Sequence, residues 1–147
     1  MNDLLQFMPL GLPATMDKIQ ITSHSHAEFI DITPELNRLL ERKATKEGIC
    51  YVYVPHTTAA VTINENADPS VRKDILNELN KMVPWNGHFT HMEGNAAAHI
   101  KAVLVGSSIS VPISGGKLAL GTWQGIYFCE FDGPRRREVF VQMIKSE

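Results

Sequence analysis

The chain has 147 residues, of which 44% are hydrophobic, 20% charged and 7% aromatic, a balance that fits one soluble globular domain and excludes a disordered or fibrous chain. Fourteen Lys and Arg against sixteen Asp and Glu leave a formal net charge of −2, so no broad basic surface for nucleic acid or anionic lipid is expected. The uncharged stretch 102–116 is broken by serines, glycines and a proline, and nothing in it reads as a membrane span.

Residues 1–15 read as an N-terminal extension, and 16–147 as one domain. The extension begins with an acid and holds two prolines, unlike a secretory leader. Its apolar residues, Leu4 to Leu12, need a surface to cover. Alternation over 18–24 predicts a strand, and 28–32 a second short one. Thr33-Pro34-Glu35 opens a helix, with Thr as cap, Pro at the first position and Glu at the positive end. Leu36, Leu39 and Leu40 carry its buried face, and Gly48 is expected to end it in a left-handed conformation. Strands follow at 49–55 and 60–64, rich in β-branched and aromatic residues.

Asp68-Pro69 starts a second helix, with Val71, Ile75, Leu79 and Met82 inward and Pro84 as its stop. Residues 84–94 have turn composition and carry histidines. Asn95 can cap a third helix over 96–105. Strands 108–113 and 118–120 flank the glycine turn at 114–117, and 122–131 and 137–144 form a last pair. About eight strands and three helices without strict alternation predict an α+β fold in one domain. Cys50 and Cys129 stand singly inside apolar runs, the setting of buried free thiols, and a cytoplasmic location is expected.

Dinucleotide-binding, P-loop, zinc-ribbon, zincin and nucleophile-elbow motifs are all missing. What remains is polar punctuation beside apolar strands. His56-Thr57-Thr58 ends a strand and can present an imidazole and hydroxyls into a cleft, or simply form a turn. In Asn64-Glu65-Asn66-Ala67-Asp68, Asp68 serves as a cap, while Glu65 has no such role and is a candidate base or ligand. His91 precedes a helix in which three alanines sit beside His99; the alanines allow close approach of a ligand or pack helix on sheet. His56, His91 and His99 lie on separate elements, and three neutral imidazoles would suit Zn²⁺ or a similar divalent ion if they converge. Gly121-Thr122-Trp123-Gln124-Gly125 can hold a flat heteroaromatic ligand, or be a bulged strand with a core Trp. Arg135-Arg136-Arg137 reads as a solvated turn, with an anion site as the minor alternative, and His24 and His26 as exposed residues on one strand face.

The runs HTTAA (56–60), NEN (64–66), EGN (93–95) with HIK (99–101), and GTWQGIYF (121–128) resemble the YjbQ family, also called UPF0047 and described as secondary thiamine-phosphate synthase enzymes. The resemblance covers about 17–145. It implies an α+β sandwich assembled as a homotrimer with clefts near subunit boundaries. His56, Glu65 and His99 then become candidate catalytic residues. Thr57, Asn66, Asn95, Lys101, Thr122, Trp123 and Gln124 become candidate substrate contacts, and His56, His91 and His99 candidate ligands of a divalent metal, Zn or Mg. The implied reaction is weak formation of thiamine phosphate from hydroxymethylpyrimidine diphosphate and thiazole phosphate, releasing pyrophosphate. Its expected partner is a phosphorylated small molecule, not a nucleic acid or a membrane. A metal-dependent hydrolase, with Glu65 as base, and a non-catalytic metabolite-binding protein are the alternatives.

Overall fold

The computed structural model describes residues 16–146. Its strands are β1 (Met16–Thr22), β2 (Glu28–Asp31), β3 (Gly48–Tyr53), β4 (Ala59–Glu65), β5 (Ser108–Ser114), β6 (Lys117–Leu118), β7 (Gln124–Glu130) and β8 (Arg136–Lys145). The helices are α1 (Thr33–Lys43), α2 (Pro69–Met82) and α3 (Ala96–Val105). One sheet has the order β1-β8-β3-β5-β6 and the other β2-β7-β4. Every pairing is antiparallel, and the fold is α+β as expected.

Two apolar layers hold these elements together. The inner one lies between the sheets and combines Cys50, Val52, Val111, Val139 and Val141 of the larger sheet with Val61, Ile126 and Phe128 of the smaller. Leu36, Leu39 and Leu40 of α1 complete it. Each such side chain contributes about 1.5–3 kcal/mol when fully buried. The second layer joins Ala60, Tyr127, Cys129 and Phe131 to Ala98 and Ala102 of α3 and to Leu76 and Leu79 of α2. Strand β7 is therefore covered on both faces, which is why its sequence GIYFCE is almost continuously apolar instead of alternating. By contrast, β3 alternates, with Cys50 and Val52 buried while Ile49, Tyr51 and Tyr53 remain exposed. The alanines of α3 face the sheet, and the opposite side of that helix exposes Ile100, Val103 and Leu104.

Several local expectations need correction. Thr33 is not the cap of α1: Ile32 occupies that position, and the Thr33 hydroxyl accepts from the Ile126 N–H at 2.8 Å. Asp31 takes over part of the capping work, accepting from the Thr33 N–H at 3.0 Å. The helix ends at Lys43 with Ala44 in the left-handed region, not at Gly48. Gly48 instead opens β3 at φ +149°, where an added Cβ would run into the Ile144 carbonyl. Strand β1 stops at Thr22, because the Ser23 hydroxyl turns inward to donate to Glu130 at 2.6 Å. His24 and His26 thus follow the strand instead of lying on it, though both are exposed as expected. Met82 of α2 is exposed rather than buried. Asp68 caps α2 through the Ser70 N–H at 2.9 Å, as the sequence suggested. The expected extension over 1–15 lies outside the described residues.

Candidate functional site

A cleft of about 660 Å³ opens where the β3–β4 turn, the segment before α3, and the β7–β8 turn meet. His56, Thr57 and Thr58 line it from the first, His91, Glu93 and Asn95 from the second with His99 of α3, and Asp132 and Arg135 from the third with Arg137 of β8. The imidazoles of His91 and His99 stand edge to face with ring centroids 5.3 Å apart. His91 Nε2 is 4.0 Å from the Glu93 carboxylate.

His56 is tied to the larger sheet. Its Nε2 meets both the N–H of Glu138 at 2.9 Å and the carbonyl of Glu138 at 3.1 Å. Either tautomer commits Nε2 to β8 and leaves Nδ1 as the ring nitrogen for a ligand. Burial, and then the positive charge of Arg137, hold the His56 pKa below its ordinary value. The hydrogen bond to Glu138 and the charges of Glu130 and Glu138 oppose them only in part. His56 is therefore a neutral imidazole near pH 7.

Beneath the cleft lies a buried ion pair that sequence reasoning missed. Arg137 was expected in a solvated turn, yet it is 4% exposed and Glu130 is 0% exposed. Arg137 Nε donates to Glu130 Oε1 at 3.0 Å, and its Nη2 donates to Glu130 Oε2 and to Thr58 Oγ1, the latter at 2.8 Å. Burial works to raise the Glu130 carboxyl, but donors from Arg137, Ser23 and the Asp132 N–H, together with the Arg137 charge, hold it below the usual range. The only hint was the register: in the run RRREV, Arg137 falls on the same inward alternation as Val139 and Val141. Above this pair, Arg135 Nη2 donates to Asp132 Oδ2 at 2.9 Å, and Asn95 Nδ2 donates to the same oxygen at 2.9 Å. That bond fixes the Asn95 amide and leaves its Oδ1 buried without a hydrogen-bond partner.

The other expected site residues are elsewhere. Glu65 and Gln124 are paired at the far end of the β4–β7 ladder, while Ala59 and Glu130 are paired at the cleft end. Six residues of strand separate the two, roughly 20 Å at about 3.3 Å per residue. At that far end Asn66 Nδ2 donates to Asp31 Oδ2 at 3.2 Å, and its Oδ1 accepts from the Tyr127 hydroxyl at 3.1 Å. Gly125 leaves the space that Asn66 fills. Gln124 Oε1 accepts from the Gly121 N–H at 2.8 Å. Thr122 is exposed, and Trp123 is no core residue: it is 63% exposed in the turn before β7. Lys101 is also away from the histidines, in a separate pocket with His26, Asn80 and Trp85.

A divalent ion held by His56, His91 and His99 is not what one chain offers. Among the described residues no three His, Cys, Asp or Glu side chains are grouped closely enough to hold a metal. His91 and His99 form a ring pair, and two ligands fall short of the three that a catalytic zinc site takes. No helix among the described residues is long and apolar enough to cross a membrane.

The arrangement of turns and strands around this cleft is shared with known proteins. The profile described as UPF0047 protein YjbQ-like matches residues 17–146. The chain belongs to this family. A UPF0047 protein of Methanocaldococcus jannaschii is 55% identical over 127 residues, covering 86% of this chain and 92% of the relative. The UPF0047 protein YugU of Bacillus subtilis is 50% identical over 127 residues, covering 86% and 96%. A crystal structure from Clostridium acetobutylicum, described as an uncharacterized conserved protein of the YjbQ/UPF0047 family, superposes with TM-score 0.86 at 51% identity, covering 87% of this chain and 99% of that one. A YbjQ-like protein from Sulfolobus solfataricus, described as of unknown function, gives TM-score 0.85 at 33% identity, covering 89% and 96%. UPF0047 membership thus brings the fold, and no reaction with it.

Proposed function

We propose that this UPF0047 protein is a small-molecule enzyme whose histidine cleft binds the phosphate end of its ligand. The observation that carries the reading is the grouping of three imidazoles with Arg135 and the exposed Thr57 around one cleft, underpinned by a buried Arg137–Glu130 pair. These are donors of the kind that hold phosphate oxygens. Asn95 Oδ1, buried and unpaired, offers an acceptor for a ligand O–H or N–H. Neutral His56 suits proton transfer near pH 7, and His99 is the second acid–base candidate. The two buried free thiols accord with a cytoplasmic location.

The reaction proposed is thiamine-phosphate formation. The bond from the pyrimidine methylene to the diphosphate oxygen breaks, the thiazole nitrogen bonds to that methylene, and pyrophosphate departs. Positioning and charge stabilisation supply most of the catalysis. The pyrimidine needs a flat platform, and Trp123 provides one, but at the far end of the same chain's ladder. We therefore propose a homotrimer in which the Glu65–Trp123–Gln124 end of one copy faces the histidine cleft of the next. Exposed apolar side chains on the outer sheet face (Ile49, Tyr51, Tyr53, Ile144) and on α3 (Ile100, Val103, Leu104) support such an assembly.

Product formation is measured by chromatography with His99→Ala, Trp123→Ala and an equimolar mixture refolded together. Each variant is expected to lose activity and the mixture to regain a fraction of it, since mixed trimers contain one intact boundary. No activity in the wild type overturns the reaction. Activity lost in both variants and not regained on mixing overturns the shared site. Phosphate release without the thiazole partner, with metal bound near one equivalent per chain, points to the hydrolase alternative, the ion then taking its third ligand from another copy. Ligand-dependent thermal stabilisation without any product points to a metabolite-binding protein.

A further inference from the structure

The pocket around Lys101 is distinct from the histidine cleft and has a chemistry of its own. Its volume is about 400 Å³, and His26, Asn80, Trp85 and Lys101 line it. Lys101 sits on α3 and is 3% exposed. Its ammonium donates to Asn80 Oδ1 at 2.5 Å, and that is its one hydrogen bond among the described residues. No Asp or Glu among them forms an ion pair with it. The carboxylate that meets the pocket lining, Asp132, lies 3.9 Å from His26 Nε2 and is already engaged by Arg135 and Asn95. A buried ammonium with two unused N–H groups and no counter-charge is costly unless something anionic pairs with it.

The neighbouring groups define what that partner is. An ammonium can only donate, so Asn80 must turn its Oδ1 toward Lys101, which leaves the Asn80 NH₂ as a further donor beside it. Two donors side by side match the two oxygens of a carboxylate. The remaining lining is aromatic: the His26 and Trp85 rings stand nearly perpendicular, with centroids 4.3 Å apart and planes at 86°. A planar ring can lie against the face of one and the edge of the other, a contact that an aliphatic chain does not make.

We propose that the His26–Asn80–Trp85–Lys101 pocket is a second binding site, for a small anion bearing a carboxylate on a planar ring. Burial lowers the Lys101 pKa, and a carboxylate bound beside it opposes that shift by favouring the ammonium. The site requires nothing of the histidine cleft and does not depend on the reaction proposed there.

Equilibrium dialysis with radiolabelled benzoate tests it, with inorganic phosphate as competitor. The wild type is expected to bind one benzoate per chain saturably, with phosphate competing poorly. Lys101→Met keeps the volume and removes the charge; its binding is expected to fall by about tenfold or more, as for loss of a charge-assisted contact. His26→Ala, at an exposed position that does not threaten folding, is expected to weaken binding severalfold. His91→Ala, in the other cleft, is expected to leave it unchanged. Absence of saturable benzoate binding, or equal binding by the wild type and folded Lys101→Met, overturns the site. If Lys101→Met does not fold, unchanged binding by His26→Ala does so. Phosphate bound more tightly than benzoate overturns the assigned ligand class.

Discussion

Replacing Arg137 by Met tests the foundation of the histidine cleft. Met preserves most of the apolar volume but removes the donors that reach Glu130 and Thr58. Glu130, at 0% exposure, then keeps only the Ser23 hydroxyl and the Asp132 N–H as donors. Breaking a buried ion pair from one side costs about 3–5 kcal/mol, a large part of the roughly 5–15 kcal/mol that stabilises a domain. The sign of the pH dependence follows from Glu130. In the wild type its carboxyl is held below its ordinary value, so its contribution is present above the unfolded carboxylate pKa and is lost as pH falls through the depressed one. In Arg137→Met the burial that Arg137 had outweighed dominates, and the folded pKa rises. The variant's deficit is therefore largest at pH 7 and shrinks as pH falls and Glu130 takes up a proton. Urea unfolding at pH 7 and pH 4.5, at fixed protein concentration, measures both deficits. A Glu130→Leu/Arg137→Met double variant should recover part of the loss, since no buried charge remains. A deficit below about 1 kcal/mol at pH 7, or one equal at both pH values, would refute the reasoning, because a buried unpaired carboxylate can give neither.

Further predictions concern His56, beside the same ion pair, and Gly48, at the start of β3. The His56 ring, followed by its NMR C–H resonance, should titrate below the ordinary histidine value of about 6.5, and Arg137→Met should move that midpoint upward by removing a neighbouring positive charge. Because the folded pKa is depressed, His56 lowers stability progressively as pH falls through the unfolded value toward the folded one, and His56→Asn should flatten that part of the stability–pH curve. Gly48→Ala should destabilise the protein by about 2 kcal/mol or more, or prevent folding, because the new Cβ meets the Ile144 backbone carbonyl and φ is +149°; a urea midpoint within error of the wild type would count against that contact.

Secondary structure and core were largely legible in the sequence because they follow from local chemistry and period. The alternation of β3, the continuous apolar run of β7 and the Asp68-Pro69 start of α2 each state their environment within a few residues. The runs around His56, His91 and His99 were open to a structural reading as turn or core packing, and the family resemblance was what grouped them; the structure puts all three on the lining of one cleft. Caps were less legible. Thr33 has the right chemistry for a cap, but its hydroxyl is taken by the Ile126 N–H, 93 residues away.

What only the tertiary structure decided is which polar residues meet. Glu65 and Trp123 are near the histidines in motif order, yet the antiparallel ladder of β4 and β7 puts them at its opposite end. Lys101 follows His99 by two residues, but helical geometry turns the two about 200° apart, so one faces the histidine cleft and the other its own pocket. Arg137 looks like one of three surface arginines until its strand register points it at Glu130. Sequence period determines which face of an element is apolar, because that depends on neighbours two to four residues away. Convergence of charges and imidazoles depends on how strands from distant parts of the chain pair, and that is settled only when the sheets close on one another.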